Sequence, residues 1–235
     1  MRRRKLIKTA GVLGLGTLLS NGSIFLPGTS YAFQEHGKAK LLGDDDKPLK
    51  ASSLKPKENY IFFYPFRATP CLLVDLGEKV AAQQVPTADG GMFDWKGGAG
   101  KSGGLVAFTA ICSHMQSHPT EFFSPIQYDE KLGNIHCCVH RSLFEAKGGG
   151  KVLTKPAEKP LAMITLEWDK ASDEITATGV LGPDTFDLFF RQFKLDIRAR
   201  YGSTMNAKQS VESCPVQTLA KYSGTVLACP NIPLE

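Results

Sequence analysis

Short apolar runs, broken by glycine and proline, set the pattern of this chain. Tyr60–Tyr64 is aromatic and closes on Pro65, a composition that favours a strand. Cys71–Leu76 is apolar except for Asp75 and ends at Gly77, so it reads as a buried strand with Cys71 as a small hydrophobe. Leu105–Ile111 reads the same way, and Gly133–His136 predicts a short hairpin strand. Leu161–Trp168 alternates in part and Glu174–Val180 alternates well, which predicts two half-buried strands. Ala88–Gly104 and Lys147–Gly150 are dense in glycine and predict turns and loop. Gly100-Lys101-Ser102 opens no helix, so it is not a phosphate-binding loop. The period changes after Pro183-Asp184-Thr185. Phe186, Phe189, Phe190, Phe193 and Ile197 recur at helical spacing, predicting one helix that ends near Gly202. Its apolar face is expected to pack on the β-rich body; a docking face for a partner subunit is the competing reading. Residues 33–58 are polar and aperiodic and read as a linker or extended arm.

Charge changes the picture mainly at the N-terminus. Formal net charge is +5, but five of the 28 basic residues (Arg2, Arg3, Arg4, Lys5 and Lys8) lie within residues 1–32, where there is no acid. The remainder carries 23 basic and 23 acidic residues, so a nucleic-acid role has no electrostatic support. Arg3-Arg4-Lys5 followed by an apolar run from Thr9 to Leu26 and by Ser30-Tyr31-Ala32 reads as a twin-arginine export signal with a cleavage site. The expected location is therefore the periplasmic side of the bacterial inner membrane. The apolar run, residues 9–26, is marginal for a bilayer span, so cleavage and retention as a membrane anchor both stay open.

Candidate chemistry lies between Cys112 and His140. Cys112-Ser113-His114 is C-x-H; 22 residues later Cys137-Cys138-Val139-His140 supplies C-x-x-H. Thiolates and imidazoles suit zinc or a mixed-ligand iron–sulfur cluster. A zinc site of this composition usually takes both cysteines from one knuckle. Here each segment holds one Cys and one His, which fits a [2Fe–2S] cluster with two Cys on one iron and two His on the other. Spacing to His140 selects Cys137 over Cys138. His118 reads as a surface or supporting residue, and alternation turns His136 away from Cys137.

On these residues the chain resembles the Rieske family over roughly residues 70 to 180. The resemblance implies a mainly β, Rieske-type domain at 59–182, behind a signal or anchor (1–32) and linker (33–58), and before a C-terminal helical extension (183–235). It implies a Rieske [2Fe–2S] cluster held by Cys112, His114, Cys137 and His140. Ser142 stands where quinol-oxidising members place a serine that bonds a bridging sulfide. Pro156 stands in what looks like the loop that covers the cluster. The implied function is one-electron transfer within an exported, membrane-associated redox complex, with a cytochrome, quinol-oxidising or molybdenum subunit as partner. No catalytic residue is assigned. The small subunit of arsenite oxidase is the second model within the family, and a zinc-binding structural protein is the reading outside it. An oxygenase is disfavoured, because His36, His118 and His136 offer no convincing pair for a mononuclear iron.

The chain departs from the quinol-oxidising pattern in three respects. Ser117 and Val139 replace the two cysteines of its inter-loop disulfide, Phe144 replaces a tyrosine that bonds a ligand sulfur, and Arg141 replaces a common glycine. Losing the tyrosine predicts a potential below the top of the range of about −150 to +300 mV, and the charge of Arg141 opposes that change. Cys214 and Cys229, with 14 residues between them, are expected to be able to close a disulfide worth roughly 3 kcal/mol.

Overall fold

A computed structural model describes residues 34–86 and 92–230. The expected export signal and anchor at 1–32 lie outside the described residues. Among those described, no helix is long and apolar enough to cross a membrane.

In chain order the strands are β1 (Gln34–Leu42), β2 (Tyr60–Phe63), β3 (Pro70–Asp75), β4 (Gln83–Pro86), β5 (Met92–Trp95), β6 (Leu105–Thr109), β7 (Phe123–Ser124), β8 (Ile126–Asp129), β9 (Asn134–Cys137), β10 (Ser142–Glu145), β11 (Lys151–Thr154), β12 (Met163–Trp168) and β13 (Ile175–Leu181). Helices α1 (Phe186–Gln192), α2 (Lys194–Tyr201) and α3 (Thr204–Ala207) follow, then β14 (Ser213–Pro215), β15 (Gln217–Thr218), α4 (Leu219–Tyr222) and β16 (Thr225–Val226). The molecule is mostly β with a C-terminal helical region, as expected.

Eight strands form the main sheet in the order β14-β1-β13-β12-β6-β3-β2-β15. Its central strands explain why Cys71–Leu76 and Leu105–Ile111 are continuously apolar. Side chains alternate across the sheet, and both faces are covered. Cys71, Leu73, Leu105 and Ala107 enter one core, shared with β1, β13 and the helices. Leu72, Val74, Val106 and Phe108 enter a second core, shared with Ile126, Ile135 and Phe144 of a smaller antiparallel sheet, β11-β10-β9-β8.

Three expectations are corrected. The stretch read as a linker, 33–58, supplies β1, which pairs with β13 and β14 and buries Ala39 and Leu41. Its polar residues alternate outward and leave too few apolar positions to register as a strand. The predicted single helix is two, α1 and α2, divided at Phe193 (φ −101°, ψ 26°). Its apolar residues do pack inward, with Phe186, Phe189, Phe190 and Ile197 all in the first core. The C-terminal region is more than a helical appendage, because β14 and β15 form the two edges of the main sheet.

Candidate metal centre

Two loops converge beyond the ends of β6 and β9. The first continues from β6 through Ala110 and Ile111. It is closed on itself by the Cys112 N–H donating to the Ser117 carbonyl (2.9 Å) and the Gln116 N–H donating to the Cys112 carbonyl (2.8 Å). Such a tight return places Gln116 at φ +58°. Helix α1 supports it from behind. Gln192 donates to the Met115 carbonyl (3.1 Å), and the His118 ring meets Phe189 and Phe193 edge-on, centroids 4.9 and 4.5 Å away. His118 is therefore a supporting residue, its pKa lowered by burial. The second loop is the β9–β10 hairpin, held by the Arg141 N–H donating to the Cys137 carbonyl (2.7 Å). Arg141 sits at φ +62°, the left-handed region where glycine is at ease.

The donor atoms of Cys112, Cys137 and His140 lie within 4.8 Å of one another. The rings of His114 and His140 meet edge to face with centroids 4.9 Å apart. Both cysteines are fully buried, whereas both histidines are half-exposed. All four residues singled out as ligands are thus together. The pair of thiols is electrostatically asymmetric. A hydrogen bond from Cys112 holds the Cys137 thiol well below its ordinary range, and the same bond, with burial, pushes Cys112 up. The two sulfurs share a proton, and ionising both requires positive charge nearby.

The residues suit a cluster in three further respects. Two sulfur and two imidazole donors, split between two loops, match mixed ligation. The Nδ1 atom of His114 is buried with no hydrogen-bond partner among the described residues, a cost that a metal bond would remove. Ser142 is fully buried beside Cys137 in the β9–β10 register, and its oxygen accepts the Ala157 N–H (3.0 Å), leaving its hydroxyl proton free to donate. That bond also fastens the loop carrying Pro156 to the second knuckle, while Ser113 donates to the Lys159 carbonyl and fastens it to the first.

Cys138 faces the other way. It forms a disulfide with Cys229, 91 residues along the chain, which corrects the expected Cys214–Cys229 pair. Cys214 is instead a buried free thiol in β14, pushed up to about 12 by burial. Beside the disulfide, Gln127 donates to the Leu227 carbonyl (2.9 Å). Residues 223–227 bind along residues 120–124, with β16 pairing parallel to β7. Sequence spacing gave no signal for this pairing, because it depends on a tail that returns across the whole domain. His136 is fully buried behind the second knuckle, near Asp129 and Cys229, whose sulfur the disulfide occupies.

His140 also borders an open apolar groove of about 770 Å³, lined among others by Met115, His118, Phe122, Phe193 and Tyr222. Phe122 is 84% exposed, and Met115 and Val139 are exposed beside it. No single run of residues announces this groove; the insert, the helices and the tail build it together.

Comparison with known proteins agrees with this geometry. The family model for the Rieske [2Fe-2S] domain matches residues 81–165. The iodate reductase subunit IdrB of Denitromonas iodatirespirans is 31% identical over 189 residues, 77% of this chain and 82% of that protein. The soluble domain of Rieske protein II (soxF) from Sulfolobus acidocaldarius has a similar fold. Its TM-score is 0.51 at 23% identity, over 67% of this chain and 90% of that one.

Proposed function

Because the chain belongs to the Rieske [2Fe–2S] protein family, we propose that it is the electron-transfer subunit of an exported, membrane-associated oxidoreductase complex. When bound, the cluster supplies one-electron redox chemistry. Cys112 and Cys137 would hold one iron, and His114 and His140 the other. The observation that carries this reading is the division of exposure within the site: buried thiols behind, half-exposed imidazoles in front. The histidines therefore form the edge a redox partner reaches, and their outer nitrogens are where a proton would be taken up or released as the site's charge changes. Ser142 would donate to a cluster sulfide. The loop of Pro156 is bonded to both knuckles and so is held beside the site.

A catalytic subunit working on an oxyanion fits better than a quinol-oxidising one. Ser117 and Val139 rule out the inter-loop disulfide of the latter, and Phe144, fully buried in the second core, offers no hydroxyl to a ligand sulfur. The match to an iodate reductase subunit points the same way. We favour a periplasmic molybdenum enzyme as host.

Purification of the native complex in mild detergent tests this. Iron and acid-labile sulfide in equal amounts, a Rieske electron-resonance signal and a co-purifying large redox subunit are expected. Stoichiometric zinc in a colourless protein would overturn the electron-transfer reading. Co-purification with a cytochrome b instead would overturn the choice of host.

A further inference from the structure

Ser117 stands where the covalent brace of quinol-oxidising relatives is lost, yet it still joins the two loops. Its carbonyl accepts the Cys112 N–H at 2.9 Å, so the residue is fixed to the first knuckle. Its hydroxyl reaches the second knuckle, 3.1 Å from His140 Nδ1 and 3.7 Å from Cys137 Sγ. Sulfur is large, and 3.7 Å lies within hydrogen-bond reach for it. The hydroxyl has one proton and two acceptors to choose from.

Bound metal would remove one of them. On His140, Nδ1 is the nitrogen that lies 3.7 Å from Cys137 Sγ. On His114, Nδ1 is the nitrogen buried without a partner among the described residues. Both rings thus turn Nδ1 inward, and a nitrogen whose lone pair is given to iron cannot accept a proton. The Ser117 hydroxyl is then left with the sulfur of Cys137, 3.7 Å away.

We propose that Ser117 is a positioning residue that donates a hydrogen bond to the ligand sulfur of Cys137 and so raises the reduction potential of the centre. It replaces in part the donor lost at Phe144, and it does so from the opposite loop. The physical basis is that donation to a thiolate offsets negative charge, and the reduced centre carries one more electron than the oxidised one. The proposal rests on the ligand assignment above.

Redox titration of the full chain, followed by electron resonance, provides the test. Ser117→Ala is expected to keep the Rieske signal while its potential falls. A tenfold shift of the equilibrium toward the oxidised form corresponds to about 59 mV for one electron. Ser117→Thr and Ser117→Val, which match each other in size, separate the hydroxyl from packing. Thr should stay near the wild-type potential and Val should fall with Ala. Equal potentials in Ala, Val and wild type would overturn the proposal. So would loss of the cluster from Ala and Val but not from Thr, since the hydroxyl would then be a structural brace alone. Absence of a Rieske signal from the wild-type chain would instead sink the ligand assignment.

Discussion

Neighbouring residues on a strand point to opposite faces, and that alternation separates Cys137 from Cys138. Cys137 faces Cys112 and His140, and Cys138 faces the tail. Cys137→Ser is expected to abolish the Rieske signal, whereas Cys138→Ser should retain it; electron resonance on both variants decides. The convergence of these four side chains was legible because each pair lies within one short segment, where spacing alone limits what a side chain can reach. Spacing likewise pointed to Cys137, which the structure sets beside Cys112 and His140. The contact from Ser117 was not, because a serine in a loop carries no pattern until the second loop is placed against it.

The elements with strong local periodicity were readable: β3, β6, β12, β13 and the apolar face of α1 and α2. The N-terminal arm was not. Its place as β1 comes from pairing with β13 and β14, which are far away in sequence. Leu41 is fully buried there, so Leu41→Ala should destabilise the domain by about 2–5 kcal/mol, measured by denaturant unfolding. A solvated linker would show almost no change. The disulfide offers a second check. Closing a loop of this length restrains the unfolded chain by about 4–5 kcal/mol on the loop-entropy model. Cys229→Ser should therefore lower Tm, and a dithiol reductant should lower Tm of the wild type but not of the variant. The pairing was invisible in the sequence because cysteine spacing reports only on local partners, and Cys214 was the nearer candidate.

At the scale of the molecule, the main sheet separates two cores, and the site lies beyond the one shared with the small sheet. The helical region packs on the opposite core yet reaches round to support the first knuckle through Gln192, Phe189 and Phe193. Around His140 the surface is apolar and open. A redox partner that docks there would cover Phe122, whose exposure leaves the fold indifferent to its replacement. Phe122→Glu should weaken association with the partner about tenfold, about 1.4 kcal/mol, and leave the reduction potential unchanged. Binding and potential measured on one preparation test both halves.

Anchoring Cys138 to residue 229 instead of to the opposite knuckle has a consequence for how the protein ages. In a protein whose sulfur–sulfur bond clamps the cage itself, a reducing encounter threatens the cofactor directly. Here the same encounter would release residue 229 first, while residues 223–227 stay bonded along residues 120–124. The cage would keep its own hydrogen-bonded closures, so damage to the clasp and loss of the inorganic core are separate events.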